Sequence, residues 1–376
     1  PPVSHPQPWI TARDTSTRGT MTDNVAQTRI YREWNVPGID ADGNDDVLLG
    51  LAANVLGGSK SSRLYQRLVY QDKLVDDVSV GGMDFELASM MLLQADVKKG
   101  IEPSKVEAAI ADEWAKFLKD GPSADELERV KTTYAASTIR GMEKVGGFSG
   151  KATVLAEGQV YRNDPGAWKK DYEAAMAATP EQVKAAAAKW LAKGDYTLTV
   201  SPGKVEATDA ALGNGRAALE GRPADKLAPA GEFKTVKTDV DRSKGVPAVT
   251  NYPNLSFPKL EHGKLANGIE VVLAQRHDIP VVQISALFDA GYAADMGGKL
   301  GNSSFSMNML DEGTSTLDSI EISKRKQRLG AEIGTGCSLD SCSVSLNSLD
   351  DKLAESLALY ADIVRNPAFR EADIAR

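Results

Sequence analysis

The stretch GNSSFSMNMLDEGT, residues 301–314, decides the fold. It follows two short apolar runs, Ile269 to Ala274 and Val281 to Phe288, which predict strands. Helix-forming residues from Lys299 to Leu310 predict a helix within the stretch, and Leu317 to Leu329 predicts the next one. Strands packed with helices of this kind are typical of an α+β domain.

The residues on both sides of this helix follow an ordered pattern. In chain order it comprises Leu265-Ala266-Asn267-Gly268-Ile269-Glu270-Val271, Pro280-Val281-Val282, Phe288-Asp289-Ala290-Gly291, Met309-Leu310 and Gly313-Thr314. Together these residues resemble the opening of a pitrilysin/insulinase-family domain. The alternative interpretation is a surface amphipathic helix with no ancestral site.

Active members of that family carry an inverted H-x-x-E-H motif on the corresponding helix, with a distant carboxylate as third zinc ligand. The first and last motif positions are four residues apart, so both imidazoles share one helix face. Here the three functional positions hold Ser304, Met307 and Asn308. Ser and Asn are poor zinc ligands, and Met cannot act as a base. The resemblance therefore implies a degenerate site, with neither metal nor catalytic residues in this chain.

The earlier region, about residues 26 to 200, resembles the non-catalytic second domain of the same family. The segment from Gly57 to Tyr65 and the run from Leu68 to Val80 carry this resemblance. In the family, the second domain of the half without zinc supplies an Arg and, seven residues later, a Tyr that bind the substrate backbone. The corresponding positions here are Val69 and Asp76, so this pair is missing as well.

One layout accounts for both absences. Family proteins contain two halves of two domains each, with the zinc motif in one half and the Arg/Tyr pair in the other. The resemblance implies a central fragment, in which residues 1–200 are the second domain of the zinc half. Residues 201–257 would then link the halves, and residues 258–376 would be the truncated first domain of the second half. The predicted fold is α+β, with two homologous domains, each a mainly antiparallel sheet packed on helices, joined by a long linker.

An internal repeat supports the duplication. An ungapped shift that places Val106 on Leu353 also places Ile110 on Leu357. In both copies strands, an amphipathic helix and a second helix start follow in the same order. Helices share periodicity, which increases such matches by chance.

Residue patterns predict the main elements of the first domain. Val25 to Trp34 predicts a strand, Asp45 to Leu56 a helix, and Val75 to Met83 a strand paired with Met90 to Val97. Tyr196 to Val200 predicts the closing strand. One face of a further helix is marked by Val106, Ile110, Trp114 and Phe117.

Two capping boxes predict helix starts, Ser123 with Glu126 and Thr179 with Gln182. From Ser201 to about Pro258 the sequence becomes rich in Gly, Pro, Ala and charged residues and shows no sustained period. This composition predicts a linker.

Composition sets the class of protein. The 376 residues, 42% of them hydrophobic, suffice for two domains. No apolar run approaches the roughly 18 residues that a membrane span needs. The net charge of -8, with Lys and Arg scattered, disfavours binding to nucleic acid or anionic membranes. Because the chain starts at Pro1 without a signal peptide and stops at Arg376 within a predicted helix, we expect an excised piece.

Cys337 and Cys342 are the only cysteines in the sequence. They end and begin two predicted strands, Ile333 to Cys337 and Cys342 to Leu346, which pair as a hairpin. That register places the two sulfur atoms opposite each other, as a disulfide requires. The alternative is two free thiols packed as small hydrophobic groups.

Other candidate sites have simpler explanations. His5, His262 and His277 are the only histidines, and no two have the spacing of metal ligands. The cluster Asp40, Asp42, Asn44 and Asp45 lacks the Gly and Glu of a calcium-binding loop and is better explained as a turn and helix cap. The segment from Gly57 to Ser62 is not a phosphate-binding loop, because Ser precedes its Lys.

The resemblance implies the non-catalytic central portion of a zinc-dependent metalloendopeptidase that degrades peptides in an enclosed chamber. This segment would form chamber wall and be inactive alone, with zinc on a domain absent from the chain. The implied partners are peptide substrate and the missing zinc-binding and C-terminal domains, without nucleic acid or membrane. Bacterial relatives are commonly exported, which implies the periplasm. The alternative is a non-catalytic family member that acts as a scaffold or partner subunit.

Overall fold

The computed structural model describes residues 12–39, 43–148, 150–205, 241, 243, 245–246, 248, 250–251, 254 and 256–375. Most of the predicted linker therefore lies outside the described residues, as do His5, Asp40 and Asp42. The chain forms two units, of which the larger comprises Pro8–Arg222 and Pro280–Arg376. Within it, the N-terminal module means the described residues of 12–205, and the C-terminal module means residues 280–375.

The N-terminal module contains a five-stranded sheet. Its strands are β1 (Thr17–Asp23), β2 (Arg29–Pro37), β3 (Val75–Met83), β4 (Ala88–Val97) and β5 (Tyr196–Pro202). The spatial order is β1-β5-β2-β4-β3, with β1 parallel to β5 and the other neighbours antiparallel. Alternate residues of β4 are buried, so one face of the sheet is the core face.

Helices pack on that core face and on one another. They are α1 (Asp45–Gly57), a π-helix (Tyr65–Gln71), α2 (Pro103–Asp120), α3 (Ala124–Gly141), α4 (Lys151–Arg162), α5 (Ala167–Ala177) and α6 (Pro180–Trp190). The predicted face of α2 is confirmed, because all four of its marked residues are buried. Both predicted capping boxes are confirmed as well, and they begin α3 and α6.

An aromatic stack lies at the centre of this core. Trp34 of β2 and Trp114 of α2 are nearly parallel, with ring centroids 4.3 Å apart. The guanidinium of Arg32 lies 4.9 Å from the Trp34 ring centroid and donates to Asp195 at 2.7 Å. Burial raises the pKa of Asp195, but hydrogen bonds from Arg32, Ser16 and Thr197 outweigh it and hold the pKa below its ordinary value. This buried charge is therefore paired, as a stable core requires.

The smaller unit contains one described hairpin. Its strands, β6 (Leu260–Lys264) and β7 (Glu270–Ala274), are antiparallel and exposed throughout. β7 corresponds to the predicted strand from Ile269 to Ala274, whereas its partner β6 was not predicted.

The C-terminal module is a three-stranded antiparallel sheet with helices on one face. Its strands are β8 (Val281–Phe288), β9 (Glu332–Cys337) and β10 (Cys342–Leu349), in the order β8-β10-β9. Its helices are α7 (Asn302–Asn308), α8 (Ser319–Leu329), α9 (Leu353–Arg365) and α10 (Glu371–Ala375). The predicted α+β class is confirmed: both modules pack mainly antiparallel sheets on helices.

The register of the internal repeat is wrong. The ungapped shift pairs Ile110, which is 1% exposed, with Leu357, which is 41% exposed. Buried positions of α2 and α9 coincide when Val106 is paired with Ser356 and Ile110 with Tyr360. The shared helical period produced a match that was displaced by about one turn.

Gly330 follows the last residue of α8 and allows this end of the helix to pack closely on α3. Its φ of 58° lies in the left-handed region, and an added Cβ would lie 2.7 Å from the Cβ of Ala136. Its carbonyl accepts a hydrogen bond from Arg140 at 2.7 Å. A side chain here would strain the backbone and push the two helices apart.

Replacing Gly330 with Ala is expected to lower the free energy of unfolding by about 2 kcal/mol. Equilibrium urea unfolding measures this change. Gly336→Ala is the matched control, because its added Cβ meets nothing within 4 Å and its φ is not positive. Equal stability of the two variants would contradict the packing of α8 on α3.

Candidate functional site

Helix α7 contains Ser304, Met307 and Asn308, the three residues that the resemblance predicts at the motif positions. It is shorter than predicted, because Gly301 precedes it with a left-handed φ of 90° and a 3-10 turn, Leu310–Glu312, follows it. Ser304 and Asn308 are four residues apart in the helix and therefore lie on one side of it. Met307 packs against the core of the C-terminal module.

Asp295 fixes the start of α7. Its carboxylate accepts hydrogen bonds from the backbone N–H of Gly301 at 2.9 Å and from the N–H and hydroxyl of Ser303 at 3.1 and 2.7 Å. The hydroxyl of Ser303 is the main reason that the pKa of Asp295 lies below its ordinary value, although burial opposes the shift. The carboxylate is therefore charged at neutral pH and complements the positive end of the helix.

The loop that leads to Asp295 rests on the turn between β9 and β10. The backbone N–H groups of Tyr292 and Ala293 donate to the carbonyls of Ser338 and Leu339, both at 2.9 Å. The Tyr292 hydroxyl donates to the carbonyl of Cys337 at 2.5 Å. The position of α7 thus depends on this turn.

A disulfide closes the same turn. Cys337 and Cys342 are directly paired in the ladder between β9 and β10, and their sulfur atoms are bonded. The cross-link holds together the residues whose carbonyls support the loop before α7. The two cysteines therefore have a structural role next to the motif helix.

The segment from Gly57 to Ser62 contacts the C-terminal end of the motif region, which comprises α7 and the 3-10 turn Leu310–Glu312. The ammonium of Lys60 lies 2.6 Å from Glu312 and 3.5 Å from Asp311, just after α7. Burial lowers the pKa of Lys60, but the two carboxylates outweigh it and raise the pKa above its ordinary value. Sequence reasoning missed this contact, because no local pattern links residues so far apart in the chain.

Gln327 of α8 reinforces this contact in both directions. Its side-chain oxygen accepts a hydrogen bond from Ser61 at 2.6 Å, and its side-chain nitrogen donates to Ser59 at 3.0 Å. Arg328 pairs with Asp125 of α3 at 3.1 Å. The two modules are therefore joined by charged and amide groups as well as by close packing.

Val69 and Asp76, the two residues predicted to stand at the positions of the Arg/Tyr pair, are not brought together with α7. Val69 lies in the π-helix, is 4% exposed and packs in the core of the N-terminal module. Asp76 is an exposed residue of β3 and accepts a hydrogen bond from Gln27 at 3.3 Å. Neither residue offers the donor pattern of an Arg and a Tyr to a peptide backbone.

Zinc does not fit the residues of α7. A hydroxyl, a thioether and an amide occupy the motif positions, whereas zinc sites use imidazole, thiolate and carboxylate. Within the described residues, no group of three or more His, Cys, Asp or Glu side chains is arranged to hold a metal ion. His262 lies on the exposed strand β6, and His277 follows β7.

Two segments of the chain match models of one protein family. Residues 1–134 match the family model described as the peptidase M16 inactive domain, and residues 270–376 match the model for insulinase, peptidase family M16. The chain belongs to the M16 peptidase family. The two M16 matches together cover more than half of its residues.

Solved structures of three bacterial proteins resemble the chain at low sequence identity. A protease from Helicobacter pylori is 19% identical, with 50% of this chain and 45% of that chain covered, at a TM-score of 0.46. An M16 inactive domain from Pseudomonas fluorescens is 19% identical, with 55% and 48% covered, also at 0.46. The periplasmic protease PqqL from Escherichia coli is 13% identical, with 96% and 41% covered, at 0.42.

The chain spans less than half the length of these three structures. No curated protein sequence matches it significantly. Among the described helices, none combines the length and the apolar character that crossing a membrane needs.

The spacing on α7 can be tested by installing a metal-binding pair. The double variant Ser304→His with Asn308→His should bind Ni²⁺ at least about tenfold more tightly than the unsubstituted chain, because two imidazoles one turn apart can share one ion. Calorimetric titration with Ni²⁺ measures the affinity.

Ser304→His with Ser306→His is the matched control, since residues two apart point to different sides of a helix. Equal Ni²⁺ affinity of the two double variants would show that residues 302–308 are not helical in solution.

Proposed function

We propose that this chain is a non-catalytic portion of a zinc-dependent M16 endopeptidase and forms part of the wall of an enclosed peptide-degrading chamber. The observation that carries the proposal is the set of side chains on α7, where Ser304, Met307 and Asn308, the residues predicted at the positions of two ligands and a base, offer a hydroxyl, a thioether and an amide. A helix that lacks zinc ligands in this part of the fold is consistent with a non-catalytic domain, with peptide hydrolysis taking place on another domain of the parent protein. Alone, the chain is proposed to be inactive.

The proposed layout has three parts. Residues 1–200 form the second domain of the zinc-bearing half, and residues 201–257 link the halves. Residues 258–376 form the first domain of the other half. The order of the two family matches supports this layout, because an inactive domain precedes an M16 peptidase domain in one chain.

The proposed partners are peptide substrate and the zinc-binding and C-terminal domains of the parent protein. The proposed compartment is the periplasm or another site of export. The disulfide between Cys337 and Cys342 supports this location, because such bonds persist mainly in oxidising compartments.

The isolated chain is expected to bind no stoichiometric zinc and to leave an unstructured fluorogenic peptide uncut. Metal analysis after dialysis against zinc, and cleavage followed by fluorescence, measure the two properties. The parent protein is expected to cleave the same peptide, with activity lost when the Glu of its H-x-x-E-H motif is replaced by Gln, because that Glu activates the zinc-bound water.

Two outcomes would contradict the proposal. Zinc-dependent cleavage by the isolated chain would place the chemistry within these residues. A parent protein that lacks both the zinc motif and peptidase activity would instead support the alternative of a non-catalytic scaffold or partner subunit.

A further inference from the structure

A cavity in the N-terminal module lies away from the motif helix, among α1, α3, α4 and α5. Its volume is about 470 Å³, within the range of small-molecule sites. Apolar side chains form one part of the lining, among them Val47, Leu51 and Val130. We call this space the helical cavity.

Three carboxylates and one cation are the charged groups of the helical cavity. Asp46, Asp84 and Asp171 line it together with a single cation, Arg162, so the lining carries an excess of negative charge. Arg162 pairs with Asp46 at 2.9 Å and with Asp171 at 2.5 Å, and its Nε donates to the carbonyl of Ile39 at 3.0 Å. Among the described residues, Arg162 is the only basic side chain that forms an ion pair with either carboxylate, although Lys170 also interacts electrostatically with Asp171.

Asp46 lies in surroundings that disfavour its charged form. Burial raises the pKa of Asp46 above its ordinary value, and the nearby carboxylate of Asp171 adds to the shift, although a backbone hydrogen bond from Val47 and the charge of Arg162 oppose it. Both carboxylates keep about a quarter of their side-chain surface accessible, 26% for Asp46 and 27% for Asp171. A second cation entering the cavity would reach them and stabilise their charged forms.

Other groups complete the recognition chemistry. Burial raises the pKa of Tyr134, so its hydroxyl stays protonated and its oxygen can accept a hydrogen bond from an ammonium group. Gly50 of α1 leaves space, since a Cβ built on it meets no atom within 4 Å. The cavity thus offers the hydrogen-bond acceptors of Asp46, Asp171 and Tyr134 together with an apolar lining.

We propose that the helical cavity binds a primary ammonium group carried on a short aliphatic body. The ammonium would lie beside Asp46 and Asp171 and the aliphatic part against Val47, Leu51 and Val130. A small free amine and the amino end of a peptide share this chemistry. This site is separate from the proposed function, which concerns α7 and the chamber wall.

Calorimetric titration of the whole chain with n-hexylamine tests the proposal, with n-hexanol and hexanoate as neutral and anionic probes of similar length. The amine is expected to bind with a Kd on the order of 1 mM or tighter, and at least about tenfold more tightly than either other probe. No amine binding, or equal binding of hexanoate, would overturn the proposal.

A second arm separates the two sources of the ammonium group. It compares leucyl-leucine amide with its N-acetylated form. Binding of the free peptide that exceeds that of n-hexylamine, together with loss on acetylation, supports a peptide amino end. Stronger binding of n-hexylamine supports a small amine, and either result supports the ammonium site.

Gly50→Leu tests the location. The new side chain would occupy the open space and is expected to weaken amine binding at least about tenfold, while the better helix propensity of Leu favours α1. Gly336→Leu is the matched control, because its Cβ also meets nothing within 4 Å and it lies outside the cavity. Equal affinity of the two variants would overturn the proposed location.

Asp171→Asn provides a second variant that leaves the cavity volume unchanged. It removes one carboxylate and is expected to weaken amine binding about fivefold, without changing the weak binding of n-hexanol. Circular dichroism checks that each variant is folded. An unchanged amine affinity in a folded Asp171→Asn protein would overturn the role of the carboxylates.

Discussion

Lys60 extends from the N-terminal module and places its ammonium between Asp311 and Glu312 of the C-terminal module. The other side of Asp311 pairs with Lys326 at 3.4 Å, so two cations face two carboxylates. A partly buried charge that lost its partner would carry a large desolvation cost. These ion pairs constrain the larger unit, because they join the 3-10 turn after α7 to the loop that carries Lys60 in the N-terminal module.

The motif region is therefore supported at both ends by groups outside its own helix. Asp295 and the disulfide-closed turn hold the start of α7, and Lys60 holds the turn after it. The helix has only seven residues, too few to be stable by its own hydrogen bonds. Its surroundings determine its conformation, even though its residues no longer match the metal motif.

Local patterns predicted the elements whose signals are local. Residues close together in the sequence determine the buried face of α2, both capping boxes and the bounds of β3. Strand β1 was missed because its polar sequence is mostly exposed and pairs with β5 from the far end of the module. The motif positions on α7 come from the resemblance and remain a prediction. The contact of Lys60 with Glu312 could not be predicted, because the two residues are adjacent only after folding.

The support for the loop before α7 runs through main-chain carbonyls of residues 337–339. A carbonyl accepts such a bond whatever side chain its residue carries, so residues 338–341 between the two cysteines can change during evolution without moving the motif helix, provided that the turn keeps its backbone shape. Gly291 has no such freedom, because a Cβ there would lie 2.2 Å from the carbonyl oxygen of Leu339. We would therefore expect sequence variation among relatives to accumulate at residues 338–341 and to stop at this glycine.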